Sequence, residues 1–310
     1  MMKKFTFLMM GLIGSGLLSA QTLTDGLMMN KNDLCTGFMY SHDSWKKYWE
    51  GTLSRENGNI GTISTQSISW MGAYGITNKI NMIAILPYVW THASQGTLAD
   101  MKGVQDLTIG AKYNFFKKTI GAGEFNTFVV GSYSVPLTDY TPDFLPLSIG
   151  MASQKLSGRL TTNYKLTKGW YSNGTIGYTW RSNVTLDRPA YFTDGQQTLS
   201  NEVWMPNVLD FSFSVGYLKN GLNVFLSYNQ QNTLDGGDIR RQDMPFVSNR
   251  MNFSKIDATI KYFIPKINSL AVWAGVGYTV TGRNTGQSTY YMGGLLYTLH
   301  LAKTAKINNQ

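Results

Sequence analysis

Only one of the 310 residues, Cys35, is a cysteine, so the chain can build neither an internal disulfide nor a cysteine-based metal site. Cys35 also lacks the small residues just upstream that a lipid-attachment site would show. Histidine is nearly as scarce. His42, His92 and His300 are scattered without ligand spacing, so neither a metal nor any other cofactor is expected. Beyond residue 20 no run of eighteen apolar residues occurs, which excludes a helical membrane span. Acids are outnumbered by bases, 18 to 27, giving a formal charge of +9. That surplus is spread along the chain and forms no basic block, so there is no footprint for nucleic acid.

The start of the chain addresses it for export. Lys3 and Lys4 are followed by an apolar stretch from Phe5 to Leu18, and Leu18-Ser19-Ala20 precedes Gln21 as a cleavage site. Cleavage near Ala20 removes both lysines and no acid, leaving a mature charge of +7. Against the scarcities stand 18 Tyr, 15 Phe, 8 Trp and 32 Gly. An exported chain rich in aromatics and lacking a helical anchor is a candidate for the outer membrane of a Gram-negative bacterium.

From Gly61 to Leu299 the sequence repeats one unit eleven times, an alternating stretch followed by a connection. In one such stretch Gly158, Leu160, Thr162, Tyr164 and Leu166 form an apolar row, and Lys155, Ser157, Arg159, Thr161, Asn163 and Lys165 interleave as a polar one. Period two puts those rows on opposite faces of a strand. Strands are predicted near residues 61–76, 79–92, 103–116, 123–136, 153–166, 169–181, 208–219, 221–235, 253–264, 270–282 and 288–300. These lengths suit tilted transmembrane strands, which need about 9–11 residues.

The connections alternate too. Thr77-Asn78, Thr167-Lys168 and Lys219-Asn220 are tight, and Lys117 to Ala122 and Pro265 to Ser269 are compact. Residues 93–102, 137–152, 182–207, 236–252 and 283–287 are mostly longer and rich in Pro, Asp and Asn. Short periplasmic turns alternating with long external loops are the habit of membrane barrels. Parity then demands one more strand, for which Leu34 to His42 is the natural segment, with Asp43 to Ile60 as the first external loop. The expected fold is therefore all-β, a single antiparallel transmembrane barrel of about 12 strands over residues 21–300, with both termini periplasmic and a basic tail at 301–310. Gly294, Tyr297 and Leu299 give a terminal-strand pattern of the kind that barrel-assembly machinery reads, which adds that machinery and outer-membrane lipids as expected partners.

Two stretches carry a family resemblance. Tyr74-Gly75-Ile76-Thr77-Asn78-Lys79-Ile80, running on to Leu86-Pro87-Tyr88-Val89, resembles a hairpin of a family of outer-membrane proteins named after the meta-pathway of phenol degradation. Gly103 to Tyr113 resembles that family's next strand, with Gln105 where a second glycine is common. The match is sharpest over residues 70–116. The family is similar to barrels that admit hydrophobic compounds, such as long-chain fatty-acid transporters, so the resemblance implies a transporter-like channel and no particular substrate.

Within the barrel reading, charges must face the lumen, since Lys or Arg facing mid-bilayer lipid costs roughly 2–4 kcal/mol. The inward candidates are Asp106, Lys112, Lys155, Arg159, Lys165, Asp210, Lys255, Asp257 and Lys261. They form either an ion-pair network that fills the lumen or a selectivity lining that favours anionic or polar-headed solutes. Tyrosines and tryptophans at strand ends, Tyr88, Trp170 and Tyr278 among them, read as interfacial girdles. In the long loops Phe144, Leu145, Tyr191, Phe192 and Trp204 either pack under their neighbours or offer a greasy portal, and Arg240 and Arg241 either constrict the mouth or stay solvated. The function expected is passive movement of a small, hydrophobic or aromatic solute. Two alternatives remain at this point: a lipid-modifying hydrolase or acyltransferase built on His92, Ser94 and Asp100, and a structural or adhesive barrel with a plugged lumen. No nucleophile elbow is present, and the chain is read as a non-enzyme.

Overall fold

A computed structural model describes residues 21–193, 195–240, 246–264, 267 and 269–301. The expected leader, Arg241 and the tail beyond Leu301 lie outside the described residues. Twelve long strands make the wall: β1 (Asp33–Trp45), β2 (Ile63–Gly75), β3 (Ile80–Ala93), β4 (Asp106–Ile120), β5 (Gly123–Pro136) and β6 (Lys155–Leu166). The second half is β7 (Trp170–Arg181), β8 (Val208–Lys219), β9 (Leu222–Thr233), β10 (Asn252–Phe263), β11 (Leu270–Arg283) and β12 (Thr289–His300). Each pairs antiparallel with its sequence neighbours, and β12 closes on β1 from Ser44–Thr289 to Asp33–His300. Closure leaves no sheet edge to be satisfied in lipid.

The alternating rows determine which side is out. Leu226, Phe38, Leu156 and Leu295 stand outward at 57–61% exposure. Their strand neighbours Ser227, Gly37, Ser157 and Gly294 point inward. The aromatics ring the outside: Tyr88, Tyr113, Tyr133, Trp170, Tyr178, Trp180, Tyr262, Tyr278 and Tyr297 are all exposed. An apolar outer face with aromatic ends is what a lipid-embedded barrel requires, and among the described residues no helix is long and apolar enough to cross instead.

The twelfth strand falls where parity placed it, near Phe38, and extends three residues further, to Trp45. The loop after it carries its own small hairpin, Lys47–Glu50 against Leu53–Glu56. One connection differs from expectation. Residues 117–120 continue β4, and the turn shrinks to Gly121-Ala122 because a bulge between Asn114 and Phe116 re-phases the strand. Phe115 and Phe116 are both left exposed. At Asn220-Gly221 both residues have positive φ, 53° and 78°, the geometry of the two-residue hairpin turn that joins β8 to β9.

Between β3 and β4 the ladder is direct only from Ile80 to Ile85. Beyond it the short strand Lys102–Val104 covers Tyr88 to Trp90, with Gln105 N donating to Pro87 O at 2.9 Å. Pro87 has no N–H to give, so a wall position with an irregular partner is where it fits.

The two faces differ testably. Leu226→Lys puts a cation on the lipid face and is expected to lower the stability of the bilayer-inserted barrel by roughly 2–4 kcal/mol, whereas Ser212→Lys, facing the lumen, costs well under that. Urea unfolding from lipid vesicles measures both, and equal losses would reverse the assignment of faces.

Candidate functional site

The lumen gathers the charges picked out by sequence and pairs most of them. Lys155 Nζ lies 2.8 Å from Asp106 Oδ2, Arg159 Nε 3.5 Å from Asp210 Oδ2, and Lys255 Nζ 3.7 Å from Asp43 Oδ2. Asp257 accepts from Ser227 Oγ at 3.3 Å and from Asn229 Nδ2 and the Tyr290 hydroxyl. Lys261 sits 5.5 Å above the Trp273 ring, and Lys165 is half-buried near the short-turn end.

Two of these contacts share one device. Gly177 on β7 is the register partner of both Arg159 on β6 and Asp210 on β8. A Cβ there would meet Asp210 Oδ2 at 2.5 Å and Arg159 Cγ at 2.9 Å, so the missing side chain lets the pair meet across an intervening strand. Gly277 does the same for Asp257 and Tyr290.

The wall is two-sided. On β4 to β9 the inward rows carry, besides the charges and the buried Phe128 and Val130, many hydroxyls and amides hydrogen-bonded to one another: Thr108–Ser134 at 2.6 Å, Asn114–Asn126 at 2.9 Å, Thr161–Thr175 at 2.9 Å, Asn163–Asn173 at 2.6 Å and Tyr171–Asn223 at 2.8 Å. On β10 to β3, the six strands that flank the seam, polar residues such as Lys255, Asp257, Thr259 and Asn81 share the inward rows with an apolar stripe. Phe263, Ala271, Leu296, Cys35, Met71, Ala73 and Ile83 form one buried cluster, with Met39, Ile85 and Trp273 packed on it. Sequence reasoning did not find this stripe. The signal was in Ile80-Asn81-Met82-Ile83-Ala84-Ile85-Leu86, which apart from Asn81 is apolar at both parities, so that one row meets lipid and the other joins the stripe.

A second element was also unanticipated. Residues 21–29 run inside the barrel at the short-turn end before β1 begins. Lys112, fully buried, donates to Thr22 O at 2.6 Å, Asp25 O at 2.8 Å and Asp25 Oδ1 at 2.9 Å. Asp25 also folds the segment on itself by accepting from Thr22 N at 2.6 Å and Leu27 N at 3.0 Å. Thr175 Oγ1 donates to Thr24 O at 3.1 Å, and the amides of Gln21 and Asn81 meet at 2.6 Å. Leu23 and Met29 pack on the apolar stripe. The segment thus presents polar groups to the polar wall and apolar groups to the apolar wall.

At the opposite end the long loops fold over the mouth. Leu147 and Ile149 are buried against inward positions of β3: Thr91 Oγ1 donates to Leu147 O at 2.6 Å, and Ile149 packs with Val89 and Tyr140. Tyr140 is tied to Asp106 through its hydroxyl at 2.5 Å, and burial pushes its phenol above the ordinary value. Leu145 and Tyr191 lie in a loop core with Val184, Leu186, Val203, Met205 and Val247. Phe144 and Trp204 remain exposed, Phe192 is half-buried, and exposed Arg240 lies against the turn at Gly195. An ion pair between half-buried Arg188 and buried Asp143, Nε to Oδ1 at 2.8 Å, joins the two loops.

The trio proposed for catalysis does not assemble. His92 Nδ1 meets Asp100 Oδ2 at 2.7 Å, and that hydrogen bond holds the Asp100 carboxyl below the usual range. Ser94 Oγ instead accepts from Thr62 N at 2.8 Å. Among the described residues no three His, Cys, Asp or Glu side chains gather where a metal could sit.

A latch joins three other loops. Arg283 donates to Asp238 through Nε and Nη2, both at 2.8 Å, and Asn284 takes Gly51 N and Ile239 N on its side-chain oxygen. The Arg283 guanidinium holds the Asp238 carboxyl down at about 2. A depressed carboxylate stabilises the fold fully above its unfolded value of about 3.9 and ceases to as pH falls through the folded one. The stretch 234–240 is therefore expected to resist pepsin at pH 4 and to become cleavable near pH 2, and unchanged resistance would discount the latch. Gly177→Leu is expected to force Arg159 and Asp210 apart at a cost of about 1–3 kcal/mol in urea unfolding from micelles. No loss there would show that the glycine is incidental.

Comparison with known proteins agrees with this architecture. The COG4313 outer membrane channel from Pseudomonas putida F1 superposes with a TM-score of 0.69 at 13% identity, over 88% of this chain and 97% of that one. A TodX mutant described as a monoaromatic hydrocarbon channel gives a TM-score of 0.46 at 8% identity, over 88% and 91%. The NanC porin gives 0.44 at 8% identity, over 84% and 100%. No curated protein matches by sequence. A family model described as "Putative MetA-pathway of phenol degradation" matches residues 62–292, most of the barrel, and the chain belongs to that family.

Proposed function

We propose that this protein is a passive channel of the Gram-negative outer membrane for small solutes with substantial apolar or aromatic surface. The observation that carries this reading is the two-sided lumen. An apolar stripe along one side of the interior gives a greasy solute a surface that an all-polar lumen would not. The stripe runs from Phe263 and Ala271 through Leu296 and Cys35 to Met71 and Ile83, and amide and hydroxyl side chains line the wall opposite. The fold's likeness to a protein described as an outer membrane channel is in keeping with this. The short-turn end, with both termini, faces the periplasm in this reading, and the leader is cleaved near Ala20.

Twelve strands enclose less space than the sixteen or more of open porins. The loop segment at Leu147 and Ile149 narrows the mouth further. Transport is therefore downhill and narrow-bore, with no nucleophile, metal or coupled energy source taking part. The hydrolase alternative loses its support because Ser94 and His92 engage different partners.

Reconstitution tests the proposal. Purified protein in planar bilayers is expected to give small, discrete conductance steps, and in liposomes to admit small neutral aromatics faster than sugars of equal mass. Correctly folded protein passing neither ions nor solutes would overturn it.

A further inference from the structure

Residues 21–29 make contacts inside the lumen that ordinary chain termini do not make. Lys112 is enclosed, and the hydrogen-bond acceptors around its ammonium all belong to this segment: a carboxylate oxygen and backbone carbonyls. Lys112 stands at a boundary. It lies on β4 beside Asn81 in register, one inward position from Ile83, where the polar wall gives way to the apolar stripe. Around the ammonium, then, the segment supplies oxygen acceptors, and next to them it lays Leu23 and Met29 on apolar wall.

The fit is close. A Cβ on Gly26 would come within 2.5 Å of Asn163 Cβ and 2.6 Å of Asn173 Oδ1, and Leu23 Cδ2 fills the space over Gly110 at 2.5 Å from where its Cβ would be. Between the segment and the stripe a void of about 10 Å3 remains, room for one water. Yet apart from its continuity with β1 the segment is in no strand ladder. Its anchors are the hydrogen bonds around Lys112, Thr175 and Asn81 and the packing of Leu23 and Met29, demands that a bound carboxylate with an apolar body would meet in the segment's place.

We propose that residues 21–29 are a displaceable internal occupant of a solute subsite, and that the solute it stands in for is a small carboxylate with an apolar body. Lys112 takes the carboxylate, as it now takes Asp25, and the stripe at Met71, Ile83 and Trp273 takes the body. This rests on the channel reading above and adds to it a site, a ligand class and a closing element. The segment closes the lumen at rest, and a solute that binds Lys112 competes with it for the same cation.

Single-channel recording on the full chain tests this, with heat-dependent gel mobility confirming that each variant is folded. Gly26→Phe cannot be accommodated between Asn163 and Asn173, so it expels the segment and is expected to raise conductance several-fold. Gly58→Phe, at a surface glycine with no neighbour within 4 Å, is expected to leave it unchanged. In the Gly26→Phe background sodium hexanoate is expected to block the current, and adding Lys112→Met to weaken that block about tenfold, the worth of one charge-assisted hydrogen bond. Block by neutral 1-hexanol should not respond to Lys112→Met. Equal conductance in native protein and Gly26→Phe would overturn the closing role, and hexanoate block insensitive to Lys112→Met would overturn the subsite. Absence of current in every variant would instead sink the channel reading itself.

Discussion

Everything in this molecule follows from the need to satisfy backbone N–H and C=O groups where no water can reach them. In hydrocarbon each unpaired group costs several kcal/mol, so a sheet must have no edges. The twelve-residue ladder between β1 and β12 meets that need. Once the sheet is closed, period two assigns every second side chain to lipid and the rest to an enclosed interior. Leu226 and Ser227 are adjacent in sequence and occupy opposite solvents. The interior is then small enough that every inward side chain has to be reconciled with those across from it.

That reconciliation explains the fate of the surplus bases. Read along the sequence, Lys112, Lys155, Arg159 and Lys255 suggest a cationic lining. In space each meets an acid, Asp25, Asp106, Asp210 and Asp43 respectively. Two of those acids lie outside the inward rows that the sequence predicts: Asp43, at the end of β1 where a loop is expected, and Asp25 in the segment before the barrel. The lumen's field is therefore one of local dipoles, with Lys112 answered by the segment before β1 and not by the wall.

The outer face was legible from sequence because lipid imposes one uniform demand on it. Gly158, Leu160, Thr162 and Tyr164 read correctly without knowledge of any partner. The strand near Phe38 could be placed by parity alone, since an odd number of crossings leaves the chain on the wrong side. The interior was less legible because its demand is relational. Gly177 matters only because Arg159 and Asp210 flank it, and Thr22 to Met29 carries no periodicity since its partners lie on β3, β4 and β7. The bulge at Asn114–Phe116 was hidden for the same kind of reason, a one-residue shift in register that leaves composition untouched.

The seam between the first and last strands also governs the order of assembly. His300 pairs with Asp33, and Leu301 N donates to Asn32 O, contacts that join positions more than 260 residues apart. No partial chain can make them. Until the final strand is available, β1 and the last strand completed each present a bare row of donors and acceptors that will template on any other strand they meet. The chain must therefore be kept apart from its own copies for the whole of its crossing to the membrane, and a product truncated anywhere before β12 is an aggregation template.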